Sequence, residues 1–175
     1  MSTSFEDRLM VYVKNHAETG IFLDTNVLLL FLVNQFMPRL IGIERLKAYR
    51  QCDADLLTGF VGRFARVLTT PHVLAETSNF ARQMVKGRLQ TEFLGWLHPL
   101  FCAQGQRSFS QTTPDGHDID KHLFARLGLT DAALVASANI RNLLLPADLD
   151  LHVATLTQGG HSINFTHMRE AAGLL

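Results

Sequence analysis

Short apolar runs alternate with longer stretches of helical periodicity along this chain, and that alternation predicts its layers. Phe5, Leu9, Tyr12, Val13 and His16 recur at the spacing of one helix face, so an amphipathic helix is expected over residues 4–17, closed by Thr19 and Gly20. Ile21, Phe22 and Leu23 read as a strand ending at Asp24, and residues 26–36 as a mostly buried helix. Residues 43–66 read as helical, with Asp53 the expected N-cap of the second piece, followed by a strand at Val67, Leu68, Thr69 and Thr70. Pro71 suits a helix's first turn, which predicts a helix to about residue 86 and another over residues 89–101. A strand is expected at residues 108–112, a turn at Pro114, Asp115 and Gly116, and helices over residues 119–127 and 131–138. Leu143, Leu144 and Leu145, then Ile163, Asn164 and Phe165, form the last two apolar runs, with a helix between them that Gly159 and Gly160 close. Five short strands separated by helices favour a parallel α/β sheet covered on both faces, because parallel neighbours need long crossovers.

Composition narrows the class without changing this outline. A chain of 175 residues is about the size of one domain, and no repeat or linker divides it, so one domain over residues 1–175 is expected. The longest apolar run, residues 27–33, has seven residues, far short of the roughly 20 that cross a bilayer. Glu6 and Asp7 stand where a secretory signal needs a basic start, so a cytoplasmic protein without membrane contact is expected. Cys52 and Cys102 lack metal-knuckle or disulfide spacing and read as reduced core thiols.

Sixteen basic residues balance sixteen acids, which argues against a protein that coats nucleic acid through blanket basicity. The distribution is uneven: residues 39–88 hold nine basic residues against four acids, and residues 108–175 hold four against seven. Such a pattern either forms solvated helix faces or sets a polyanion beside a cation-binding carboxylate site.

Four carboxylates fall where a parallel sheet gathers ligands, outside the carboxyl ends of its strands. Asp24 directly follows the first strand, and Asp148 comes three residues after Leu145. Glu76 shares a helical stripe with Val73, Phe80 and Met84, and Asp131 shares one with Leu134, Val135 and Ala138. Each has a structural explanation: Asp24, Asp131 and Asp148 as acids at helix starts, Glu76 as partner of a buried Arg. Taken together they repel one another, by about 4 kcal/mol for two charges about 4 Å apart, so a cluster would raise pKa values or collect a divalent cation. Oxygen ligands without Cys or His favour magnesium or manganese over zinc.

These residues resemble the PIN-domain nucleases. The matching segments are Phe22-Leu23-Asp24-Thr25-Asn26-Val27-Leu28-Leu29, His72-Val73-Leu74-Ala75-Glu76, Gly128-Leu129-Thr130-Asp131-Ala132-Ala133-Leu134 and Leu145-Pro146-Ala147-Asp148-Leu149-Asp150-Leu151, with Ile163-Asn164-Phe165 as a last strand. The likeness spans about residues 20–166 and implies a three-layer α/β/α sandwich with five parallel strands. It implies Asp24, Glu76, Asp131 and Asp148 as catalytic acids and ligands of Mg2+ or Mn2+, with Asp150 a substitute or fifth ligand. Asn26 and Thr130 would orient the acids. One departure is Pro146, where the family usually carries Thr or Ser, so that corner lacks a hydroxyl.

The activity implied is endoribonuclease cleavage of transfer, ribosomal or messenger RNA, by a toxin-like or processing enzyme. Water would hydrolyse the phosphodiester without a covalent intermediate. Candidate phosphate contacts are Arg82, Lys86 and Arg88, or Arg63 and Arg66. An antitoxin or other inhibitor protein and a second copy of the chain are the further partners that the resemblance suggests. The main alternative is a PIN-like nucleic-acid-binding or scaffold domain without turnover. An aspartyl phosphotransferase needs a second Asp two residues after the first, where this chain has Asn26, and a receiver domain needs paired acids that are absent. Asp118 with His122, and Asp148 with His152, have metal-compatible spacing but read as surface contacts, and Phe93 with Trp96 as core rather than a stacking platform.

Overall fold

The computed structural model describes residues 5–102 and 109–175. Five parallel strands form one sheet: β1 (Ile21–Leu23), β2 (Val67–Thr69), β3 (Ser110–Gln111), β4 (Leu143–Leu145) and β5 (His161–Ser162), in the order β3-β2-β1-β4-β5. Ile21 is in register with Val67 on one side and Leu143 on the other. Every residue of β1 and β4 is fully buried, as expected of strands covered on both faces. Helices supply the cover, making the three-layer α/β/α sandwich. Among the described residues they are α1 (Phe5–His16), α2 (Thr25–Phe36), α3 (Gln51–Val61), α4 (Pro71–Met84), α5 (Gly87–Cys102), α6 (Lys121–Leu127), α7 (Leu129–Ser137), α8 (Leu149–Thr157) and α9 (Phe165–Ala171). None is long and apolar enough to cross a membrane.

Strand order reverses at one point. From β1 the chain steps to β2 and β3 on one side, then returns to place β4 and β5 on the other. The crevice between the carboxyl ends of β1 and β4 is thus the ligand position this topology favours.

Three local expectations change. Residues 43–66 are not one helical run: a 3-10 turn at Glu44–Leu46 precedes α3, whose N-cap is Arg50. Asp53 lies at the third position of α3 instead, where its carboxylate accepts from the Arg50 backbone N–H at 2.7 Å and also from Arg169 on α9. The last strand ends before Ile163; Asn164 caps α9 by accepting from the backbone N–H groups of Thr166 and His167, so Phe165 is helical. A cap signal inside an apolar run decided that boundary. The two cysteines are exposed rather than core, Cys52 on the outer face of α3 and Cys102 at the end of α5. Residue 4 of the expected first helix and residue 108 of the expected third strand lie outside the described residues. Phe93 is fully buried and stacks on Phe36 with ring centroids 4.7 Å apart, so that pair of aromatics belongs to the core.

Candidate carboxylate site

Each of the four acids reaches the crevice by its own element. Asp24 follows β1 and caps α2, its Oδ1 accepting from the Val27 N–H at 2.7 Å. Its Oδ2 accepts from the Ala147 N–H at 2.6 Å, a bond across the reversal point between β1 and β4. Asp148 caps α8 through Oδ1, which accepts from the Leu151 N–H at 3.0 Å. Glu76 projects from α4 and accepts a hydrogen bond from the Thr25 hydroxyl at 2.9 Å. Asp131 stands in the first turn of α7, directly after Gly128, whose φ of 86° lies in the left-handed region that glycine tolerates. That backbone lets α6 pass into α7 without a linker and sets Asp131 against the sheet's end.

All four side chains line one cleft of about 340 Å³, together with Thr25, Asn26, Arg45, Phe80 and Thr130. A hollow of similar size, about 350 Å³, holds Asp118 and Asp120 beside Ala132, Val135 and Ile140, but none of the four acids lines it. The four acids make the first cleft the candidate site.

Electrostatics bear out the crowding. Burial pushes the Asp24 carboxyl up from 3.8 to about 6, against the backbone N–H groups of Val27, Ala147 and Asp148 that favour its ionised form, and the Asp148 charge adds to the rise. Asp131 is pushed further, to about 7, first by burial and then by Asp24, Glu76 and Asp148. Tyr49 feels the same field: burial and the Asp24 charge raise its phenol to about 12. Among the described residues no lysine or arginine forms an ion pair with any of the four acids. Nor do any three His, Cys, Asp or Glu side chains, as placed, form a group that could hold one ion. The acids share a cleft without closing into a ligand shell.

Several expected site residues lie elsewhere. Asp150 is exposed on α8 and does not line the cleft. Asn26 and Thr130 line it, but among the described residues neither bonds an acid; Thr25, between Asp24 and Asn26, takes that role with Glu76. Arg66 precedes β2, and its carbonyl accepts from the Ile21 N–H at the amino end of β1, opposite the cleft; Arg63 lies three residues before it. Arg82 and Lys86 line a separate hollow near the end of α4, and Arg88 pairs with Glu92 at 2.6 Å. His152 does not join Asp148 through its ring, which bonds Ser162 at 2.8 Å and packs against His167.

Besides Thr25, two residues, Asn164 and Arg45, go beyond those expected. Asn164 donates to the carbonyls of Ala147 and Asp148 at 3.2 Å each, fixing the loop that carries the fourth acid. Its signal was visible as a polar residue inside an apolar run. Pro146 contributes to the same loop, its carbonyl accepting from the Phe165 N–H at 2.8 Å, so the position without a hydroxyl still anchors the turn. Arg45 had no local signal; it reaches the cleft because its turn packs on α4. Comparison of the chain with family models, with curated proteins and with solved structures gave no match.

Proposed function

We propose that the cleft is the active site of a divalent-metal-dependent nuclease, an endoribonuclease of PIN-like type acting on RNA inside the cytoplasm. The observation that carries this reading is the convergence of Asp24, Glu76, Asp131 and Asp148 from four elements on one cleft, with no cationic side chain among the described residues paired to them. Such a set is costly without added positive charge, and its all-oxygen donors suit magnesium or manganese. The fit is chemical: the four carboxylates would hold the ion, with their side chains drawing closer than they stand here. When bound, the ion supplies positive charge for the phosphate oxygens and acidity for the attacking water.

The chain's own residues do the positioning. Asp24 is fixed at both oxygens by backbone N–H groups, so it presents its remaining lone pairs in one direction. Thr25 holds Glu76, and Asn164 with the α8 cap holds Asp148. Asp131, with its raised pKa, can exchange a proton near neutral pH before the ion enters. An inhibitor protein and a second copy of the chain remain the partners suggested by the PIN likeness alone.

A second reading, a PIN-like nucleic-acid-binding or scaffold domain without turnover, is favoured by the spread of the acids and by Pro146. Calorimetric titration with magnesium and manganese, together with cleavage of a mixed RNA pool, separates the two. The nuclease reading expects metal uptake and metal-dependent cutting, both lost in Asp131→Asn, with cleavage falling by more than about 100-fold. No uptake of either ion and no cutting would leave the scaffold.

A further inference from the structure

A polyanion entering a cup of four carboxylates meets repulsion, and ions held by those acids act only at the reacting phosphate. The rest of the strand needs a cation on the wall. Among the described residues one basic side chain lines the cleft, that of Arg45. Its guanidinium carbon stands 3.4 Å from the centroid of the Phe80 ring. A guanidinium beside carboxylates is usually drawn into a bidentate pair with one of them. Here, among the described residues, Arg45 makes no ion pair or side-chain hydrogen bond. Stacking covers one face of the group and sets its plane, which leaves the N–H donors at its edge uncommitted.

The backbone aims it. Glu44 has φ 48°, a left-handed conformation unfavourable for a side-chain-bearing residue, at the start of the turn that delivers Arg45. That turn packs on α4, whose Glu76 and Phe80 stand four residues apart, about 6 Å along the axis. One face of α4 therefore carries both a carboxylate and the platform under the guanidinium.

We propose that Arg45, held flat on Phe80, grips a backbone phosphate of single-stranded RNA in the cleft, an assignment that rests on the nuclease reading above. Arginine suits the task because its planar fork matches phosphate oxygens and keeps its charge at every working pH. The cleft thus holds hard-ion ligands and a preset phosphate fork side by side.

The test measures binding apart from cutting. The otherwise unaltered protein, with calcium in place of magnesium so that an oxygen-seeking ion is present while cutting is suppressed, is titrated into labelled single-stranded RNA of mixed sequence at several salt concentrations, and fluorescence anisotropy reads the affinity. Adding Arg45→Gln should weaken binding about tenfold and flatten the slope of log affinity against log salt by about 0.7, the loss of one phosphate contact. Arg45→Lys should keep the slope and recover part of the affinity; Phe80→Leu should weaken binding with the slope unchanged. Thermal melts of each variant check folding, and a merely structural Arg45 would lower the melt while leaving the salt slope alone. If folded Arg45→Gln protein binds with unchanged affinity and slope, the assignment is overturned while the nuclease reading stands. If the otherwise unaltered protein binds no RNA at any salt, the nuclease reading falls and takes this assignment with it.

Discussion

Asp53 and Asp24 are both buried aspartates beside the first turn of a helix, yet their surroundings set them to opposite work. Asp53 is fully buried and answered by cation and backbone together: Arg169 donates to Oδ1 at 2.8 Å and Oδ2 at 3.1 Å, and the Arg50 N–H adds a third bond. Arg169 in turn donates to the Ala48 carbonyl, so the pair ties α9 to the start of α3. Asp24, at 4 % exposure, is answered by backbone N–H groups alone and faces three further acids. A buried acid with a guanidinium holds structure together; one left among its like stores unfavourable charge that a ligand can relieve. Tyr49 is tied to both, its ring under Arg169 and its phenol raised by burial and then by the Asp24 charge.

The sharpest way to break this contrast is to remove the acid from the satisfied pair. Asp53→Ala strands the Arg169 charge in the interior and should lower unfolding stability by about 3–5 kcal/mol in urea titrations. A loss below about 1 kcal/mol would mean that the pair does not anchor α9. Asp131→Asn should act in the opposite sense. A carboxyl whose folded pKa is raised lends its stabilisation fully below the unfolded value of 3.8 and loses it as pH rises through about 7. The neutral amide escapes that loss, so without divalent ions the variant should gain on the parent between about pH 4 and 7, by about 1 kcal/mol after solvent screening. Melting temperatures across that range decide it, and a gap independent of pH would refute the crowded-acid account. Magnesium should narrow the gap at the upper end. The smallest effect belongs to the exposed Arg88 and Glu92 pair: Arg88→Ala should change stability by less than about 0.5 kcal/mol, against the large cost at Asp53.

Local pattern revealed most of the fold. Ile21, Phe22 and Leu23, and Leu143, Leu144 and Leu145, are apolar at every position, and such runs suit strands buried on both faces. Helical stripes between them forced parallel crossovers. What pattern missed was settled at a distance for Asp53 and by a neighbouring cap for Phe165. Asp53 looked like an N-cap because acids favour helix starts, but it sits in the first turn of α3, and Arg169, 116 residues later, binds its carboxylate. Phe165 looked like strand because it is apolar, whereas the Asn164 side chain starts a helix there.

The site divides along the same line. Residue type and spacing picked out Asp24 and Asp148 past strand ends and Glu76 and Asp131 on helical stripes as candidates, and the fold brings all four to one cleft. Bonds and neighbours were another matter. That Thr25 rather than Asn26 serves Glu76, that Asp150 faces solvent, and that Arg45 enters the cleft on Phe80 depend on how separate elements pack. Periodicity along a chain reports which face of an element is buried; which groups meet across that face is fixed by contacts between residues far apart in order, and these leave no periodic trace.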